Sequence, residues 1–145
     1  MKSKRVIVDT NIWISFLITN NYSIIDKLIE EKKIQLIFSN ELIEEFVRVA
    51  SRTKFKSFFS TSQITRLLDL FDVYGKLLKV KSDIKVCLDH SDDFLLSLAY
   101  DSKADFLITG DADLLDIKNF YNTRILTFRE FIDEISPIKL ENYHE

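Results

Sequence analysis

One cysteine, one proline and two glycines occur in 145 residues. The lone Cys87 has no partner for an internal disulfide, which fits a reducing cytoplasm and reads as a buried structural thiol. So little proline and glycine argues against a disordered or linker-rich chain, and no Pro/Gly/Ser-rich stretch or internal repeat marks a domain boundary. No apolar run approaches the roughly 18 to 20 residues needed to span a bilayer, so no membrane association is expected. The start "MKSKRVIVDTN" has a basic head, but Asp9 and Asn11 interrupt the apolar stretch behind it, breaking the pattern of a signal peptide. Only two histidines are present, His90 and His144, and neither has a partner at metal or catalytic spacing. A Gly-rich phosphate loop and a Ser-His-Asp set are both missing. Net charge is −3, so the total does not announce a nucleic-acid binder.

What is present is 46% hydrophobic and 30% charged residues, the balance of an ordinary globular protein and enough for one domain with a substantial core. Strand and helix signals alternate along it. "RVIV" and "IQLIF" (34–38) read as strands, "LLKVK" as a weaker one, and "DFLIT" (105–109) and "TRILT" (123–127) as two more. Between them, "YSIIDKLIEEKK" carries apolar residues at helical spacing. "ELIEEFVRVA" is a helix that Asn40 is placed to cap. A further helix runs from about Ser62 to Tyr74, halted by Gly75. "DDFLLSLAYDS" (92–102) is another, and "TFRE" (127–130) is a capping box opening the last. The tail after Pro137 reads as irregular. Such alternation predicts an α/β fold with a mainly parallel central sheet between helices on both faces, in which ligands bind beyond the carboxyl ends of the strands.

Acids gather at those ends. Asp9 follows the first strand directly, within "VIVDTNIW", where an ionised carboxylate is costly unless something pairs with it. Gly110-Asp111-Ala112-Asp113 follows "DFLIT" in the same way. "DHSDD" (89–93) stands at a helix start, where Asp92 and Asp93 also suit simple capping. On "ELIEEFVRVA", at about 100° per residue, Leu42, Ile43, Phe46, Val47, Val49 and Ala50 form an apolar face with Glu41 and Arg48 opposite. Glu45 lies about 40° from one edge of that face and Glu44 about 60° from the other, so periodicity leaves both open. Carboxylates that converge without a basic neighbour take up protons or bind a hard divalent cation, and oxygen-only ligands favour Mg²⁺ or Mn²⁺. The chemistry natural to that set is phosphate-ester hydrolysis by a metal-activated water. Trp13, Ile14 and Phe16 read as core. The acid-free run "RVASRTKFK", with Arg48, Arg52, Lys54 and Lys56, reads by itself as a solvated charged face and is also suited to phosphates.

Taken together, "VIVDTNIWISFL", "SNELIEEFVRV", "DHSDDFLLSLA" and "ADFLITGDADLL" resemble, in order and spacing, the PIN-domain ribonucleases, most closely the VapC-like branch of prokaryotic toxin–antitoxin systems. The resemblance spans about residues 4–135 of a single domain over 1–145. It implies a three-layer α/β/α fold with a five-stranded sheet in the order 3-2-1-4-5. It also implies an Mg²⁺ or Mn²⁺ site and hydrolysis of RNA phosphodiesters. Carried over residue by residue, the family's acids fall on Asp9, Glu45, Asp92 and Asp111, with Asp113 as an accessory carboxylate. Asn11 and Thr109 are the supporting polar groups, and Asp93 occupies a slot commonly held by Asn. Asp93 beside Asp92 and His90 in place of the usual Pro are departures, and the former leaves the two aspartates' roles exchangeable. Under this reading Arg48, Arg52, Lys54 and Lys56 steer RNA. A homodimer and an antitoxin that blocks the cleft are typical of the relatives. The rival readings are a PIN fold without catalysis and an aspartate-based phosphatase of the haloacid dehalogenase type. The latter needs a second Asp where Asn11 stands.

Overall fold

A computed structural model describes residues 3–19, 23–86 and 90–135. Cys87, His144 and the tail after Pro137 lie outside them. Strand β1 (Lys4–Val8) leads into helix α1 (Thr10–Thr19), and α2 (Ser23–Glu30) into β2 (Ile34–Phe38). Helix α3 (Asn40–Ala50) and a 3-10 turn (Thr53–Phe55) precede α4 (Thr61–Tyr74) and β3 (Gly75–Leu77). Then come α5 (His90–Ser102), β4 (Phe106–Ile108), α6 (Ala112–Ile117), β5 (Asn119–Phe120), β6 (Thr123–Leu126) and α7 (Phe128–Ile135).

The sheet runs β3-β2-β1-β4-β6-β5. Its first five strands are parallel and take the order expected for a PIN-type sheet; the two-residue β5 is added antiparallel at the edge beside β6. Val6, Ile7 and Val8 of β1 are all buried, as in a sheet covered on both faces. Trp13 and Phe16 are core residues as predicted. The Trp13 ring packs on Phe16, Phe38 and Phe71, tying α1 to β2 and α4. Phe16 meets Phe128 of α7 edge-on.

Three local expectations change. Ser39, not Asn40, caps α3: its backbone is extended and its Oγ accepts from the Leu42 N–H at 3.2 Å, while Asn40 is already helical. Val47, expected on the apolar face of α3, is 36% exposed at its margin. Of the expected third strand "LLKVK" only Leu77 lies in β3, which pairs Gly75–Leu77 with β2 and stops where β2 ends at Phe38, a last bond running from the Leu78 N–H to the Phe38 carbonyl at 2.8 Å; farther on the chain is held by α5. Asp93, Ser97 and Asp101 stand one helical turn apart, about 6 Å along the axis. They accept from the N–H groups of Val86 (3.0 Å), Ile84 (3.0 Å) and Ser82 (2.9 Å), alternate residues of an extended segment running the other way. Two residues of extended chain rise about 6.6 Å, so the two spacings match. Elsewhere the capping boxes form: Ser60 with Gln63 opens α4, and Thr127 with Glu130 opens α7 as "TFRE" predicts.

Candidate active site

The carboxyl ends of β1 and β4 lie side by side in register, Val8 against Ile108, so the residues that follow each strand meet. Asp9 is 6% exposed there. Its backbone N–H continues the ladder to the Ile108 carbonyl at 2.9 Å, which fixes where its side chain begins. The Thr109 hydroxyl donates to Asp9 Oδ2 at 2.7 Å, and the Asp111 N–H donates to Thr109 Oγ1 at 3.1 Å. A single threonine thus joins the two strand ends. Burial pushes the Asp9 carboxyl above its ordinary value. The Thr109 hydroxyl and Thr10 backbone hydrogen bonds oppose that shift, and the negative charges of Glu45 and Asp111 add to it.

Asp111 caps α6, accepting the Asp113 N–H on Oδ1 at 3.2 Å. Asp92 comes from the first turn of α5. One carboxylate oxygen each from Asp92, Asp111 and Asp113 lie within 4.8 Å of one another, a spacing that lets a single ion reach all three. Glu45 enters from α3. Its Oε1 accepts the Thr10 hydroxyl at 2.6 Å, and Arg48 Nη2 lies 4.0 Å from its Oε2. Glu44, the alternative that helix periodicity left open, is exposed, whereas Glu45 is half-buried on the cleft wall. The cleft, about 670 Å³, is lined by the acids Asp9, Glu45, Asp92 and Asp111 and by the arginines Arg48 and Arg52.

Of the other predicted site residues, Asn11 also lines the cleft. Asp93 is 5% exposed and spends Oδ1 on the Val86 N–H, among the residues of the extended segment, so it is Asp92 that stands with the other acids. Within the basic run, Arg48 and Arg52 reach the cleft. Lys54 instead sits over the Phe55 ring, 5.1 Å from its centroid, and Lys56 is exposed beyond it. Arg48 is exposed, as its place on α3 predicts, while lining the cleft; Thr10 is the residue that sequence reasoning passed over. The signal for Thr10 was its position between Asp9 and Asn11; its target lies 35 residues away and no local pattern points there.

Fold and cleft together define a class: a parallel α/β protein with a carboxylate cluster at its strand ends able to coordinate a divalent metal ion, the build of a metal-dependent nuclease-like protein. The PIN domain family model matches residues 5–113, and the chain belongs to that family. An uncharacterized protein of Methanocaldococcus jannaschii is 30% identical over 141 residues, covering 90% of each chain. Two solved structures share the fold. VapBC2 from Rickettsia felis, bound to a DNA fragment from its promoter, superposes with a TM-score of 0.57 at 16% identity, over 83% of this chain and 96% of the other. VapC20 of Mycobacterium tuberculosis, a toxin that cleaves the sarcin-ricin loop, gives 0.54 at 12% identity, over 82% and 98%. Among the described residues no helix is long and apolar enough to cross a membrane.

Proposed function

We propose that this protein is an Mg²⁺- or Mn²⁺-dependent endoribonuclease that hydrolyses RNA phosphodiester bonds, acting as the toxin of a toxin–antitoxin pair. The observation that carries this reading is the meeting of Asp92, Asp111 and Asp113 within 4.8 Å in a cleft that Asp9 and Glu45 also enter. The donor set fits the ion: it is all oxygen, and the negative charges of Glu45 and Asp111 add to the rise that burial gives the Asp9 carboxyl. In this reading Asp9, Glu45, Asp92 and Asp111 hold the metal, with Asp113 as an accessory ligand. A bound divalent cation supplies an activated water and offsets charge on the leaving oxygen. The chain's own groups do the positioning. Thr109 steadies Asp9, Asn11 supports its orientation, and Asp93 anchors the start of α5 beside Asp92. Arg48 and Arg52 draw the phosphate backbone over the acids, and Lys54 and Lys56 extend that attraction outward.

The VapBC2 and VapC20 likenesses support the toxin context; a cognate antitoxin, a homodimer and a cytoplasmic setting belong to the same proposal. The test is cleavage of a mixed set of labelled RNAs by the purified protein. It is run with Mg²⁺ or Mn²⁺, with chelator, and with Asp9→Asn in parallel. Metal-dependent cutting that disappears in the variant is the expected result. No cutting of any RNA, together with no Mn²⁺ binding by calorimetry, would instead leave a PIN fold serving as a binding module.

A further inference from the structure

We infer that Thr10 is a positioning residue for the metal site, bracketing Asp9 and Glu45 so that both stand ready before an ion arrives. Thr10 is the first residue of α1 and only 2% exposed. Its backbone N–H supports the Asp9 carboxylate, and its hydroxyl donates to Glu45 Oε1 at 2.6 Å. One residue thus touches two acids, its neighbour in sequence at the end of β1 and one 35 positions on in α3.

The arrangement is asymmetric in a useful way. A hydroxyl has a single proton, and Thr10, at the first position of α1 with no helical turn behind it, commits that proton to Glu45. Helix α1 does not need that hydroxyl to begin, since the Asp9 carbonyl already takes the Ile12 and Trp13 N–H groups at 3.0 and 3.3 Å. Among the described residues Glu45 is otherwise steadied only by Arg48, 4.0 Å from Oε2 on a side chain that is 65% exposed. The buried hydroxyl therefore fixes Oε1 from inside and leaves Oε2 towards the cleft. Thr109 does the same for Asp9 from the β4 side. Each threonine holds one carboxylate in place, so the long Glu45 side chain does not have to be ordered by the metal. Groups that hydrogen-bond to ligating carboxylates typically contribute about 10- to 100-fold in metal affinity.

This inference rests on the metal-dependent reading above, and its test separates the two. Wild type, Thr10→Ser, Thr10→Val, Glu45→Ala and the Thr10→Val/Glu45→Ala double variant are titrated with Mn²⁺ by calorimetry. Their RNA cleavage is followed at saturating Mn²⁺. Thr10→Val should lose about 10-fold or more in Mn²⁺ affinity, while Thr10→Ser restores it. The KM for RNA should stay unchanged, because the arginines remain. In the Glu45→Ala background, Thr10→Val should cost less than about twofold, since the carboxylate it positions is gone. A Thr10→Val protein that binds Mn²⁺ as tightly as wild type would overturn the inference and leave the ribonuclease reading intact. So would a loss that persists undiminished without Glu45. Wild type that neither binds Mn²⁺ nor cuts RNA would bring down both. Should Thr10→Val fail to fold, Thr10→Ala against Thr10→Ser gives the same comparison.

Discussion

Replacing Asp111 by Asn should make the metal-free protein more stable and the metal-loaded protein less so, and the reversal follows from the spacing of the acids. Asn keeps the α6 cap, because its side-chain oxygen can still accept the Asp113 N–H that Asp111 Oδ1 takes at 3.2 Å. What it removes is charge. Asp111 has carboxylate neighbours in Asp92 and Asp113 within 4.8 Å. Two unit charges at that separation repel by about 0.9 kcal/mol in water and about 3.5 kcal/mol at an effective dielectric near 20. Asp113 is exposed while Asp111 and Asp92 are more buried, so the lower end applies to one pair and an intermediate value to the other. Rotation of the side chains apart reduces the sum, to a net relief of about 1–2 kcal/mol, or about 3–6 °C in Tm. In the opposite direction, Mn²⁺ at about 1,000 times its Kd adds about 4 kcal/mol to wild type. A variant that binds about 100-fold more weakly gains only about 1.4 kcal/mol at the same concentration. The assay is urea unfolding of both proteins in EDTA and in Mn²⁺. An Asp111→Asn variant less stable than wild type in EDTA would refute the claim that the cluster is held together against repulsion. A wild type that Mn²⁺ does not stabilise would refute the claim that the cluster exists to bind a cation.

Three further outcomes are expected. Because burial, with Glu45 and Asp111 beside it, raises the Asp9 carboxyl above 3.8, the folded chain binds that proton more tightly than the unfolded chain. In EDTA its contribution to stability is therefore present below 3.8 and lost as pH rises through the raised value. Urea unfolding across that window should show wild type falling relative to Asp9→Asn, and parallel curves would contradict the burial argument. Neutralising Arg52 and Lys54 together should weaken RNA binding and flatten its salt dependence. A drop of about 0.7 in the log–log slope would mean Arg52 alone meets a phosphate, about 1.4 that Lys54 joins it, and none that this face is not the RNA path. Gly75→Ala should cost about 1–3 kcal/mol by calorimetry. A Cβ there would stand 2.5 Å from the Phe71 carbonyl oxygen and 2.6 Å from the Phe38 ring, and the carbonyl cannot swing aside as a flexible side chain can.

The elements that local chemistry specifies were legible without coordinates. β-branched "RVIV" and "IQLIF" became buried strands, "TFRE" closed its capping box, and an aspartate directly after a buried strand stood where an α/β sheet places its ligands. Elements whose stability comes from another part of the chain were not. The two-residue β5 exists through pairing with β6 and has no period of its own to detect. "LLKVK" lost most of its strand because its partner β2 ends at Phe38, opposite Leu77, and Asp101, an ordinary polar position on a helix, takes the Lys81 N–H across 20 residues. Ser39 and Asn40 are both good caps, and only the backbone angle at which the chain leaves β2 selects the first.

The same division runs through the site. The order of the acids along the chain, the strand ends that carry them and the kinship with PIN domains were all determined by the sequence by itself, because strand signals and short motifs are local. Which carboxylates share a cleft was decided only by tertiary structure. Glu45 faces it and Glu44 does not, and Asp92 joins Asp111 and Asp113 while Asp93 turns to Val86. The hydroxyl links from Thr109 to Asp9 and from Thr10 to Glu45 cross 100 and 35 residues of chain. A hydrogen bond depends on atoms a few ångströms apart, and such distances are set by how the helices pack on the sheet.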